Sequence, residues 1–150
     1  MPKLLSLFCD YGIHATWAIV GLLLLDDAGE LEKYRPACLP RYRRAELDPY
    51  RYAERAKWTA DSLPLHFAPG LVRSIHGTPH QEVGCHTFSH YYCLEEPDDL
   101  DSFESDLLAA KRVSFDKLGI GNESLVFPRN QYSPRHFAVA ARNGIRAVRR

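Results

Sequence analysis

Four times along this chain a stretch with helical character is followed by a short apolar run, and a glycine closes most of the helical stretches. Leu4, Leu5, Leu7 and Phe8 keep the helical period after Pro2, a residue suited to a first turn. Gly12 ends that helix where a left-handed residue is usual. The apolar run at 15–20 follows. A second helix at 70–75 stops at Gly77 and leads into a strand at 82–85. A long amphipathic helix starts at Pro97-Asp98-Asp99, carries Leu100, Phe103, Leu107, Leu108, Ala110 or Lys111 and Phe115 on its apolar face, and stops at Gly119. A strand at 124–128, a helix from Ser133-Pro134 through Ala141, Gly144 and a last strand at 145–148 complete the series. Such alternation predicts an α/β fold with a parallel sheet, either doubly wound or part of a barrel. Both architectures place their active sites at the C-terminal ends of the strands.

The run at 15–20 shows no polar alternation, as expected of a strand covered on both faces. Extended to Leu25 it is still shorter than the ~18–20 apolar residues that span a membrane. It also lacks the basic start and cleavage pattern of a signal peptide, so it reads as buried core of a cytoplasmic protein with no membrane partner. Four cysteines without a C-x-x-C spacing fit reduced thiols in that compartment. A formal net charge of zero argues against a nucleic-acid partner. The 150 residues suit one domain. Positions 26–64 break the pattern: rich in Pro, Arg and Tyr, they have no sustained period beyond a short helix expected at 50–59, and read as an irregular insertion, a lid or substrate-facing loop. Arg41, Arg43 and Arg44 within it read as a solvated face.

The strand at 82–85 runs directly into His86-Thr87-Phe88-Ser89-His90. On one helical turn, residues four apart share a face with about 5–6 Å between Cβ atoms. Two neutral imidazoles at that spacing can share a divalent cation. Gly84 is expected to let the backbone turn, and Thr87 and Ser89 to bond local backbone and fix the rings. The plainer alternative is two ordinary histidines beside a loop. A structural zinc knot of Cys85, His86, His90 and Cys93 is disfavoured, because strand alternation sends Cys85 to the face opposite His86.

Three segments together resemble the polysaccharide deacetylase family, the chitooligosaccharide-deacetylase-like domain of carbohydrate esterases. They are Tyr11-Gly12-Ile13-His14-Ala15-Thr16-Trp17 with the run after it, the segment from Glu82 to His90 carrying H-[ST]-x-x-H, and Phe127-Pro128-Arg129-Asn130 followed by Gly144-Ile145-Arg146-Ala147-Val148-Arg149. The resemblance covers the chain apart from about 26–64. It implies a distorted (β/α) barrel and a divalent metal, usually zinc, that serves hydrolysis of an acetyl group from a sugar or polysaccharide. It assigns His86 and His90 as metal ligands. Arg129 and Asn130 take no family role; their place at the end of the strand at 124–128 puts them on the rim as candidate substrate contacts.

The departures from the family pattern carry equal weight. The family's Asp-Asp pair, source of the general base and a third metal ligand, has no counterpart here, and Asp10 lies inside the first helix instead. The late histidine that acts as general acid is also unmatched, so no catalytic base or acid is assigned. Val126 stands where the family's third motif has its arginine. The expectation is a partial deacetylase domain, truncated at both ends, that binds zinc weakly and is inactive alone. A non-catalytic carbohydrate-binding remnant of the same fold is the alternative.

Overall fold

A computed structural model describes residues 1–95 and 98–149. Its elements are α1 (Pro2–Asp10), β1 (Ala15–Ile19), α2 (Glu30–Tyr34), α3 (Pro49–Arg55), α4 (Leu63–His66), α5 (Pro69–His76), β2 (Gln81–Cys85), α6 (Leu100–Leu118), β3 (Ser124–Val126), α7 (Pro134–Arg142) and β4 (Ala147–Arg149). Four parallel strands lie in the order β1-β2-β3-β4. Consecutive neighbours joined through helices are the α/β arrangement that the alternation predicts.

Local chemistry sets the boundaries. Gly12, Gly119 and Gly144 have φ of 60°, 71° and 79°, the left-handed values at which a side chain is penalised. Asp99 caps α6 by accepting from the Ser102 backbone N–H at 3.0 Å. The expected start of that helix at Pro97 lies outside the described residues. Ser133 opens α7 with a reciprocal capping arrangement: its backbone N–H donates to His136 Nδ1 at 3.0 Å.

Three expectations are corrected. The first strand is not covered on both faces: Thr16 and Ala18 are exposed while Ala15, Trp17 and Ile19 are half-buried, so this nearly all-apolar run is one-sided. The expected apolar face of α6 is displaced. Leu108 and Phe115 are 48% and 66% exposed, and the buried stripe runs through Phe103, Asp106, Leu107, Ala110, Val113 and Ser114. A charged residue therefore occupies a core-facing position that periodicity alone reserves for an apolar one. The region 26–64 is not structureless, because α2, α3 and the start of α4 lie in it and Tyr34 and Tyr50 from it join the core. Its central helix ends at Arg55 instead of reaching 59.

Gly84 serves packing. It sits within β2 opposite Ala18, and a Cβ there would lie 2.8 Å from both Ser124 Oγ and Thr16 Cγ2. The backbone turn expected at this glycine occurs further on. Gly84→Ala should destabilise the fold by about 1–3 kcal/mol, the usual cost of overpacking. Chemical denaturation checks this; an unchanged midpoint would mean that Thr16 and Ser124 swing aside freely.

Candidate functional site

The β1–β2 ladder extends one step past the strand, with the His86 N–H donating to the Ile19 carbonyl at 2.9 Å. Alternation along β2 puts exposed Glu82, then Gly84, then His86 on one side of the sheet. After His86 the chain does not make the helical turn that the spacing suggests. Thr87 and His90 instead adopt left-handed φ values of 62° and 61°. Those two reversals fold the segment back, so that the His86 and His90 rings lie 5.0 Å apart between centroids at an interplanar angle of 66°. Non-glycine residues avoid this backbone region, at a cost of order 1–3 kcal/mol each, unless the surroundings enforce it.

The surroundings are specific. Gly21 N–H donates to the Thr87 carbonyl at 2.9 Å and Leu22 N–H to the Phe88 carbonyl at 3.0 Å, stitching the turn to the segment after β1. Thr87 Oγ1 accepts from the Tyr91 N–H at 2.8 Å. Ser89 Oγ donates to the Asp106 carboxylate at 2.5 Å. Thr87 thus bonds local backbone as its residue type suggests, whereas Ser89 reaches across to α6. Ring direction is set elsewhere: His86 Nδ1 lies 2.7 Å from the Val126 carbonyl at the end of β3. A carbonyl only accepts, so Nδ1 carries the proton and Nε2 presents a bare lone pair.

Electrostatics agree with neutral rings. Burial holds His86 below the usual imidazole value of 6.5, partly offset by its bond to Val126. Burial, then the neighbouring His86, then Arg129 lower His90. Cys85 and Cys93 behave differently. Burial pushes both thiols up to about 12, the reverse of the shift that makes a metal-binding thiolate. Among the described residues no group of three or more His, Cys, Asp or Glu side chains gathers as a metal cluster, so neither thiol completes a knot with the histidine pair.

Arg129 and Asn130 both have φ of 54° and both are exposed directly after β3. The Arg129 guanidinium carbon lies 5.2 Å from the centroid of the Tyr92 ring, and Tyr92 meets His90 edge-on at 5.4 Å. The order His86, His90, Tyr92, Arg129 thus forms one continuous contact chain along the C-terminal rim of β2 and β3. Of the five described non-glycine residues with left-handed φ, four belong to this rim, the fifth being His80.

Sequence reasoning missed three residues behind the rim, Asp106, Tyr50 and Tyr42. Asp106 is fully buried and accepts from Tyr50 Oη at 3.1 Å, while Tyr42 Oη accepts from the Tyr92 N–H at 2.9 Å. The readable signal was Asp106 standing in the apolar register beside Phe103, Leu107 and Ala110. No helix of the described residues is long and apolar enough to cross a membrane. No protein-family model, curated protein or solved structure matches this chain.

Proposed function

We propose that His86 and His90 are the histidine half of a divalent-metal site, with zinc the best fit, in a hydrolase of the polysaccharide deacetylase type that removes acetyl groups from a sugar. The observation that carries this reading is the ring geometry. Two imidazoles sharing a tetrahedral zinc at about 2.0–2.1 Å have ring centroids roughly 5 Å apart. The rings stand at 5.0 Å, with the His86 tautomer already fixed to offer Nε2. The four-stranded parallel sheet is compatible with the partial (β/α) barrel that the resemblance implies, and the rim position fits the rule that sites occupy strand C-termini.

When bound, the metal would polarise an acetyl carbonyl and lower the pKa of a coordinated water. The chain's own residues orient and hold. Val126 locks His86, the turn from Thr87 to Ser89 presents His90, and Arg129 with Asn130 and the Tyr92 ring offers polar and stacking contacts for an acetylated sugar. Among the described residues no carboxylate gathers with the histidines as a third ligand, and no residue is assigned as base. Acetate release by this chain should therefore lack the roughly 10²–10⁴-fold that a placed base contributes. The same observation favours a second reading, a carbohydrate-binding module that keeps the rim without the chemistry.

Zinc titration followed through the histidine side-chain signals of a ¹⁵N-labelled chain tests the metal site. Weak, reversible one-to-one binding that shifts His86 and His90 is expected. Affinity should be full above pH 6.5, the ordinary imidazole value, and fall as pH drops below it and the rings protonate. The same depressed pKa values make the unfolded chain the better proton binder there, so stability also declines as pH falls below 6.5. Histidine signals indifferent to millimolar zinc at pH 7.5 would sink the metal reading. An acetylated chitooligosaccharide should shift the Tyr92, Arg129 and Asn130 amides under either reading.

A further inference from the structure

Asp106 is a fully buried carboxylate for which no arginine, lysine or histidine forms an ion pair among the described residues. Four donors meet its two oxygens instead, partly offsetting the burial that pushes its pKa above the usual carboxylate range. Oδ1 accepts from the Phe88 N–H at 2.7 Å and the Ser89 N–H at 3.2 Å. Oδ2 accepts from Ser89 Oγ at 2.5 Å and Tyr50 Oη at 3.1 Å. Placing a carboxylate here is costly compared with an apolar residue of similar volume, so general stability is a poor explanation for its presence. What the arrangement secures is the shape of one short segment. Phe88 and Ser89 lie between the two residues whose left-handed backbones bring the histidine rings together.

The insertion grips the other side of the same histidine. Tyr50 lies on α3 and reaches Asp106, while Tyr42 bonds the Tyr92 N–H and packs its ring 5.6 Å from Tyr91. His90 is therefore held on its N-terminal side by Ser89, through Asp106, and on its C-terminal side by Tyr92, through Tyr42.

We propose that Asp106, Tyr50 and Tyr42 are positioning residues that fix the His86–His90 turn for metal binding, and that the insertion at 26–64 buttresses this turn from behind. The proposal rests on the metal reading above, but its geometric content is separable from it. Asp106 accepts at backbone N–H groups that no side-chain substitution removes. Asp106→Asn retains the shape and one acceptor oxygen, but its NH2 group replaces an oxygen that accepts two bonds. Tyr50→Phe deletes a single hydroxyl.

The test compares these two variants and Tyr42→Phe with Val139→Ala, a buried change on α7 that lowers stability without touching the turn. Zinc affinity and the zinc-free amide and ring signals of residues 86–92 are measured at pH 8, where the rings are neutral. Asp106→Asn should shift the His90 signals before any metal is added and lower zinc affinity about 10–100-fold, the range found when the partners that orient metal ligands are lost. Tyr50→Phe and Tyr42→Phe should do the same to a smaller degree. Val139→Ala should leave both readouts unchanged despite its lower melting temperature. Wild-type affinity and unshifted His90 signals in Asp106→Asn would overturn the proposal, as would an equal loss of affinity in Val139→Ala. If the unaltered chain takes up no zinc, the metal reading fails. The zinc-free signals then decide the positioning role by themselves: a shift supports it and its absence rejects it.

Discussion

His86→Ala, like His90→Ala, is expected to lower zinc affinity more than any other substitution considered, at a stability cost of only about 1 kcal/mol. Losing an outer partner of a metal ligand costs roughly 10–100-fold in affinity, and losing one of the two proposed ligands outright should exceed that range. The structural cost is small because the bond removed is a single one at a half-buried site: the Val126 carbonyl loses a partner that water can replace, a penalty of about 1 kcal/mol. His90→Ala should behave similarly, although alanine keeps the Cβ and with it the backbone penalty at φ 61°. His14 and His80 provide the control. Their rings stack at 4.2 Å and 11°, too nearly parallel for both lone pairs to meet at one ion, and they lie at the opposite, N-terminal end of β1 and β2. Competition with a chromophoric chelator measures all four variants. Equal losses from His14→Ala and His86→Ala would show that zinc binds to histidines at large and that the rim pair has no privilege.

Phe127→Ala should be the most destabilising of the changes considered, by about 3–5 kcal/mol, the usual cost of removing a buried phenylalanine. Phe127 is fully buried where β3 gives way to the rim. Its ring stacks near Phe103 at 6.0 Å, meets Phe137 edge-on at 5.5 Å and lies 5.4 Å from Tyr132. His136, also fully buried, stands 6.4 Å away. One ring thus joins α6, α7 and the segment between β3 and α7. At about 2–4 °C per kcal/mol for a chain of this size, the melting temperature should drop by roughly 6–20 °C. The effect should extend to the rim, because Pro128 follows directly and the left-handed Arg129 and Asn130 after it rest on this anchor. Urea denaturation with zinc titration measures both. A loss below about 1 kcal/mol would mean the aromatic cluster collapses readily into the space, and the rim would then owe its shape to other contacts.

The sequence by itself determined the layout of this chain. Gly12, Gly119 and Gly144 mark helix ends because only a residue without Cβ takes a left-handed backbone freely, and that preference is written in a single letter. The alternation of helices with short apolar runs named the parallel sheet, and the rule of strand C-termini named the rim bearing His86, His90, Arg129 and Asn130. Tertiary structure decided how the two histidines meet. Spacing suggested a helical turn, yet Thr87 and His90 reverse the chain instead, because Gly21, Leu22 and Asp106 supply partners to the backbone groups that a helix would have satisfied internally. Local propensity has no access to those partners, which lie 17 or more residues away along the chain from the groups they hold. The same limit explains Asp106 and Leu108. Periodicity fixes which residues of α6 share a face, but the direction of that face depends on what stands opposite, and here a turn with two free N–H groups and a tyrosine hydroxyl drew a carboxylate inward and left Leu108 in solvent.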